Sequence, residues 1–163
     1  MRFFTPDLYL RFNSADDEVA DRADAEWEVA VRGYRARLED VRQHLPPDAR
    51  KLSELNLHDA EWIRTKSTAG VLPGLFYPVF LRCRDDETLL IYQLWDAVRE
   101  IPARAGWPFS GKHTYWLYDE VDTASEGRPE FWHRILLSDG RVIEIPFTKV
   151  SVLTYPLHAA EAG

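Results

Sequence analysis

Residues 19–45 read VADRADAEWEVAVRGYRARLEDVRQHL, and Val19, Ala23, Trp27, Ala30, Tyr34, Leu38, Val41 and Leu45 recur in it at intervals of 4, 4, 3, 4, 4, 3 and 4. That mean spacing is close to one α-helical turn, so the eight side chains form one apolar seam on one long helix. Asp16, Asp17 and Glu18 precede the stretch, while Arg35, Arg37, Arg42 and His44 lie toward its end, an order that complements the helix macrodipole. Pro46-Pro47 stops it, and the helix is expected over Ser14–Leu45, long enough to cross the whole molecule.

The pattern on either side is different. Thr5-Pro6-Asp7 offers a cap, a proline at the first helical position and an acid in the first turn, which predicts a short helix to Phe12. Asn13 and Ser14 break it, either of them suited to cap the next helix, and Pro47-Asp48 opens a third short helix to Glu54. Asn56-Leu57-His58-Asp59 is then the corner between helices and strands. Short aromatic and β-branched runs follow: Ala60–Ser67, Leu75–Arg84, Glu87–Val98, Thr114–Thr123, Glu130–Ser138, Arg141–Phe147 and Val150–Leu153. Asp85-Asp86 and Asp139-Gly140 read as two-residue hairpin turns, residues 99–113 as a long loop, and the tail Ala159–Gly163 as frayed. Strands joined by hairpins rather than helices give an antiparallel meander. The expected class is α+β: one domain over 1–163, with a helical layer at 1–55 packed on five to seven strands at 56–155.

Composition bounds the function classes. Hydrophobic residues make up 45% of the 163 and aromatics 13%, which is enough for a packed core. No apolar run approaches the ~20 residues that span a bilayer, and none resembles a signal peptide near the amino terminus, so neither a membrane nor export is expected. The single Cys83, with no partner in the chain, fits a reducing cytoplasm. A net charge of −7 with bases interspersed among acids argues against nucleic acid and suits a basic protein partner.

Several local patterns invite a chemical reading. Gly106-Trp-Pro-Phe-Ser-Gly111-Lys112-His113 follows a phosphate-binding loop as far as the lysine, but a strand rather than a helix leaves it, and Pro108 removes a donor. It reads as a connection between strands. His58-Asp59 places an imidazole and a carboxylate at the corner where sheet meets helices, a suitable place for a general base or a metal. Tyr118-Asp119-Glu120-Val121-Asp122 puts Glu120 and Asp122 on one strand face and Asp119 on the other, adding Asp119 and Glu120 to the candidate metal ligands. A two-residue turn at Asp139-Gly140 makes His133 and Glu144 diagonal neighbours, a candidate acid–base pair, and puts Trp132, Arg134 and Leu136 on the face under the long helix. Trp107 lies outside every helix and strand pattern and is the candidate exposed binding residue. Cys83 sits in an apolar run that reads as a strand interior, not as the setting of a nucleophile.

Phe3-Phe4-Thr5-Pro6-Asp7-Leu8, Leu57-His58-Asp59-Ala60, Tyr118-Asp119-Glu120-Val121 and Ile135-Leu136-Leu137-Ser138-Asp139-Gly140-Arg141, in this order, resemble a group of small bacterial proteins of unknown function. The resemblance spans nearly the whole chain and implies no activity, though it draws attention to His58 and Asp59. With neither an activated nucleophile nor a strong metal set, the residues favour a non-enzymatic module that binds another protein or a copy of itself. By analogy with small acidic cytoplasmic α+β proteins, that module is immunity-like. The alternative is a metal-dependent or acid/base hydrolase centred on His58 and Asp59, which requires both to converge with a further polar group in one concave site. No cofactor is expected.

Overall fold

The computed structural model describes residues 1–63, 76–109, 111–124 and 130–157. Three helices come first, α1 (Pro6–Phe12), α2 (Asp17–Arg42) and α3 (Pro47–Glu54). Seven strands follow: β1 (Glu61–Ile63), β2 (Phe76–Arg82), β3 (Asp86–Leu94), β4 (Arg99–Ile101), β5 (Trp116–Thr123), β6 (Phe131–Leu137) and β7 (Val142–Pro156). The class is α+β, with N-terminal helices and an antiparallel sheet. The part of the first predicted strand at 64–67 and the tail 159–163 lie outside the described residues.

The helix boundaries follow from capping. Thr5 accepts the Leu8 N–H, with Pro6 at the first helical position. Asp16, not Asn13 or Ser14, caps α2 by accepting the amides of Glu18 and Val19, which is why the helix starts at Asp17 rather than at the expected Ser14. At its other end the His44 and Leu45 amides bond only three residues back, so α2 tightens and stops while Leu45 stays buried. The seam serves two layers. Ala23 and Trp27 pack with Phe4, Leu8 and Tyr118 beneath α1, whereas Val41 and Leu45 enter the main core with Ala49 and Leu52 of α3.

The strand order is β1-β2-β3-β7-β6-β5, two meanders joined where β3 pairs with the C-terminal half of β7. The two ends of this sheet meet: Trp62 N–H donates to the Thr114 carbonyl at 2.7 Å and Trp116 N–H to that of Ala60 at 2.9 Å. The sheet is thus a barrel closed at one end. At the other end α2 covers the free edge of β5, where Tyr34 Oη accepts the Val121 N–H at 2.8 Å and Arg37 reaches Asp122 at 2.6 Å.

β7 runs through both segments that the sequence pattern separates. Pro146 explains the gap along its neighbour. Its carbonyl faces Trp95, between the end of β3 and the start of β4, so the missing N–H falls where no partner strand runs. The segment at 99–113 is therefore not all loop, since Arg99–Ile101 resumes pairing with β7.

The Asp139-Gly140 hairpin differs from expectation in register. A two-residue turn of that kind needs φ > 0 at both positions, and only Gly140 has it, at 84°. The loop is instead Ser138-Asp139-Gly140, closed by Leu137 N–H to the Arg141 carbonyl and Gly140 N–H to that of Leu137. Ile135 then faces Ile143 and Arg134 faces Glu144, one residue out from the expected pairing. The side chains of β6 change face relative to those of β7 as a result. Phe131, His133 and Ile135 point into the barrel with Ile143, Ile145 and Phe147, while Trp132 and Arg134 point out.

Candidate functional site

The corner at Asn56–Ala60 is a tight turn held by its own atoms. Ala60 N–H donates to the Leu57 carbonyl, Asn56 Oδ1 accepts the His58 N–H at 3.3 Å, and Asp59 takes φ 66°. That left-handed conformation is one that Asp tolerates better than most residues. Asp59 N–H donates to the Trp116 carbonyl at 2.9 Å, which fastens the turn to the closing strand pair. His58 Nδ1 lies 3.0 Å from Asp59 Oδ2, and the imidazole packs edge-on against Tyr118 with ring centroids 5.1 Å apart.

Asp119 reaches the same place from β5. A bulge between Trp116 and Tyr118 re-aims the strand, after which Asp119 lies on the inner face beside His133. Its Oδ1 accepts the Trp116 indole N–H at 3.0 Å and its Oδ2 accepts His133 Nε2–H at 3.1 Å. His133 has no exposed surface, and its Nδ1 lies 2.7 Å from Tyr92 Oη. Burial first, then the charge on Asp119, pushes the Tyr92 phenol far above its ordinary value, so Tyr92 is the donor. The chain of hydrogen bonds runs from Tyr92 O–H to His133 Nδ1, and from His133 Nε2–H to Asp119.

His58, Asp59 and Asp119 line one groove of about 610 Å³ between α2, the corner and β5. Tyr34, Arg35 and Leu38 form its helix wall, and Phe4, Leu117 and Tyr118 add apolar surface. Tyr34 is raised above its ordinary value, chiefly by burial, and stays a neutral phenol.

The other expected site residues lie elsewhere. Glu144 does not meet His133: the register puts it opposite Arg134, to which it is paired at 3.3 Å on the outer face. Glu120 is buried beneath the amino terminus, where its carboxylate accepts the N–H groups of Arg2, Phe3 and Phe4 at 2.7–2.8 Å. Both of its oxygens accept from backbone, so it is an anchor for the amino terminus. Trp107 is half-buried rather than free. Its indole N–H donates to the Ser138 carbonyl at 2.8 Å, and its ring lies against Gly140 and Tyr9. Burial pushes the Cys83 thiol up, the opposite of activation. Among the described residues no three His, Cys, Asp or Glu side chains are gathered as metal ligands.

Tyr92 and Trp116 had no signal in the pattern beyond their apolar character; Tyr92 meets His133 across 41 positions of sequence. Compared with known proteins, the chain matches no protein family, no curated protein and no solved structure.

Proposed function

We propose that this chain is a non-enzymatic protein-interaction module of a bacterial cytoplasm, immunity-like in kind, and that it meets its partner with the outer face of β2, β3 and β7. One observation carries the reading. Phe80, Leu89 and Leu153 stand side by side across the three strands, flanked by Pro78 and Ile91 on one side and Tyr155 on the other. Phe80 is 43% exposed, Leu153 40% and Tyr155 53%, with Phe76 beyond them at 68%. Contiguous outward apolar side chains on a sheet are a cost in water unless another surface covers them. No described helix does so, since α1 and α2 pack at β5 and α3 on the core.

A photo-crosslinking residue at Leu153, compared with one at exposed Arg22 on α2, tests this in cells. A discrete adduct from Leu153 alone supports the module, and its mass against the 19.0 kDa chain separates a second copy from another protein. Equal smears, or no adduct from either position, retire it.

A second reading is favoured by the groove. Asp59 Oδ2 lies beside His58 Nδ1, and Nε2 would act as a general base on water toward a substrate held near Asp119. This is the acid/base form of a hydrolase. Its metal-dependent form lacks a gathered donor set among the described residues. Turnover of any member of a panel of chromogenic esters, phosphoesters and amides, lost in both His58→Gln and Asp59→Asn, supports it. Turnover indifferent to both substitutions excludes this site as its source.

A further inference from the structure

The groove beside α2 carries a binding inference that is independent of the sheet face. Asp119 is a half-buried carboxylate whose oxygens accept from two ring N–H groups, those of Trp116 and His133, and from no Lys or Arg among the described residues. Its side chain is 22% exposed, toward the groove. A carboxylate held in place by two hydrogen bonds, with lone pairs remaining and no Lys or Arg paired to it, is prepared for a cation that arrives from outside. On the opposing helix wall Arg35 lines the same groove, is exposed, and makes neither ion pair nor hydrogen bond with a described residue. A guanidinium left free there suits a planar carboxylate. Phe4, Tyr34, Leu38 and Tyr118 line the same groove.

We propose that this groove binds a free amino acid with an aromatic or large apolar side chain, its ammonium on Asp119, its carboxylate on Arg35 and its side chain against the aromatic wall. Asp59, whose side chain is exposed, lines the same groove and adds a second negative charge. The volume, about 610 Å³, exceeds that of one amino acid, so the ligand retains part of its hydration.

The probes are L-phenylalanine, phenethylamine and 3-phenylpropionate, titrated into the full chain by NMR, with the Trp116 indole N–H as reporter because it bonds Asp119. L-Phenylalanine is expected to bind most tightly, phenethylamine more weakly and 3-phenylpropionate weakest, with the indole resonance moving in step. Asp119→Asn should weaken L-phenylalanine by about tenfold or more. Arg35→Ala, at an exposed helix position with no side-chain bond to a described residue, should bring L-phenylalanine to the affinity of phenethylamine and leave phenethylamine unchanged. No movement of the indole resonance at millimolar L-phenylalanine overturns the proposal. So does binding that ignores Arg35→Ala, or an order in which 3-phenylpropionate binds as well as the amines. None of these outcomes bears on the crosslinking result at Leu153, so the two readings stand or fall separately.

Discussion

Tyr92 on β3 and His133 on β6 share a 2.7 Å hydrogen bond at a point where neither side chain has any exposed surface. Two polar groups inside a barrel are tolerable only because each is fully engaged. The phenol donates to Nδ1, Nε2–H donates to Asp119, and Asp119 reaches water. Tyr92→Phe leaves the buried Nδ1 without a donor and should cost about 1–3 kcal/mol in urea unfolding at neutral pH. Tyr92→Phe combined with His133→Leu should cost less than the sum of the two single changes. Additive losses would show that the bond is not a coupled unit.

Tyr77 is the counter-case. It faces Tyr92 across the strand pair, and its hydroxyl is buried with no hydrogen-bond partner among the described residues. Removing that oxygen removes a desolvation cost and little else, so Tyr77→Phe should raise stability by about 1 kcal/mol. A measured loss of stability would mean that the hydroxyl is satisfied in solution.

Glu120 fastens the amino terminus through three backbone donors. Glu120→Gln keeps the shape, removes the charge and turns one acceptor into a donor facing an N–H. A loss of about 2 kcal/mol is expected, with faster hydrogen exchange at the amides of residues 3 and 4. Unchanged protection at those amides would remove the anchor role.

Gly140 must be glycine for two reasons that act together. Its φ is 84°, and an added Cβ would lie 2.4 Å from the Trp107 ring. Gly140→Ala should destabilise by about 2 kcal/mol and shift the tryptophan fluorescence as Trp107 leaves the turn. An unaltered emission spectrum would place Trp107 elsewhere.

Asp139 supplies a pH dependence. Burial raises its carboxyl, but hydrogen bonds from Arg141 outweigh that and hold it below the ordinary 3.8. A carboxyl lowered by folding stabilises the native state fully above its unfolded value, and that stability is lost as pH falls through the lower folded value. Asp139→Asn should therefore lower Tm at neutral pH, and the gap from wild type should close in acid below 3.8. A gap that persists there would mean that the charge is not the cause.

Much of the fold was legible from local chemistry. The Thr5-Pro6-Asp7 opening and Pro47-Asp48 place α1 and α3 where the structure has them. Strand identity was readable from β-branched and aromatic runs, but strand partners were not. The pairing of β3 with β7 joins residues some 60 positions apart, and nothing in either run selects that neighbour. The hairpin shows how small the missing piece can be. Asp-Gly announces a turn, and whether it holds two or three residues depends on which φ angles the finished sheet twist prefers. That one-residue difference moved Glu144 from His133 to Arg134.

By itself the sequence determined what each segment is: caps, stops and a long apolar seam, all set by interactions within a few residues of one another. It also marked His58, Asp59, Asp119 and His133 as side chains with chemistry to offer. Only the tertiary structure decided which of them share a site. His58, Asp59 and Asp119 meet at one groove because the sheet closes between β1 and β5 and a bulge turns Asp119 inward, while Glu120, one residue along, is turned to the amino terminus. Neighbours on a strand point apart by geometry, so a run of carboxylates in sequence is not a cluster in space. Closure and register, which local chemistry does not encode, make that choice.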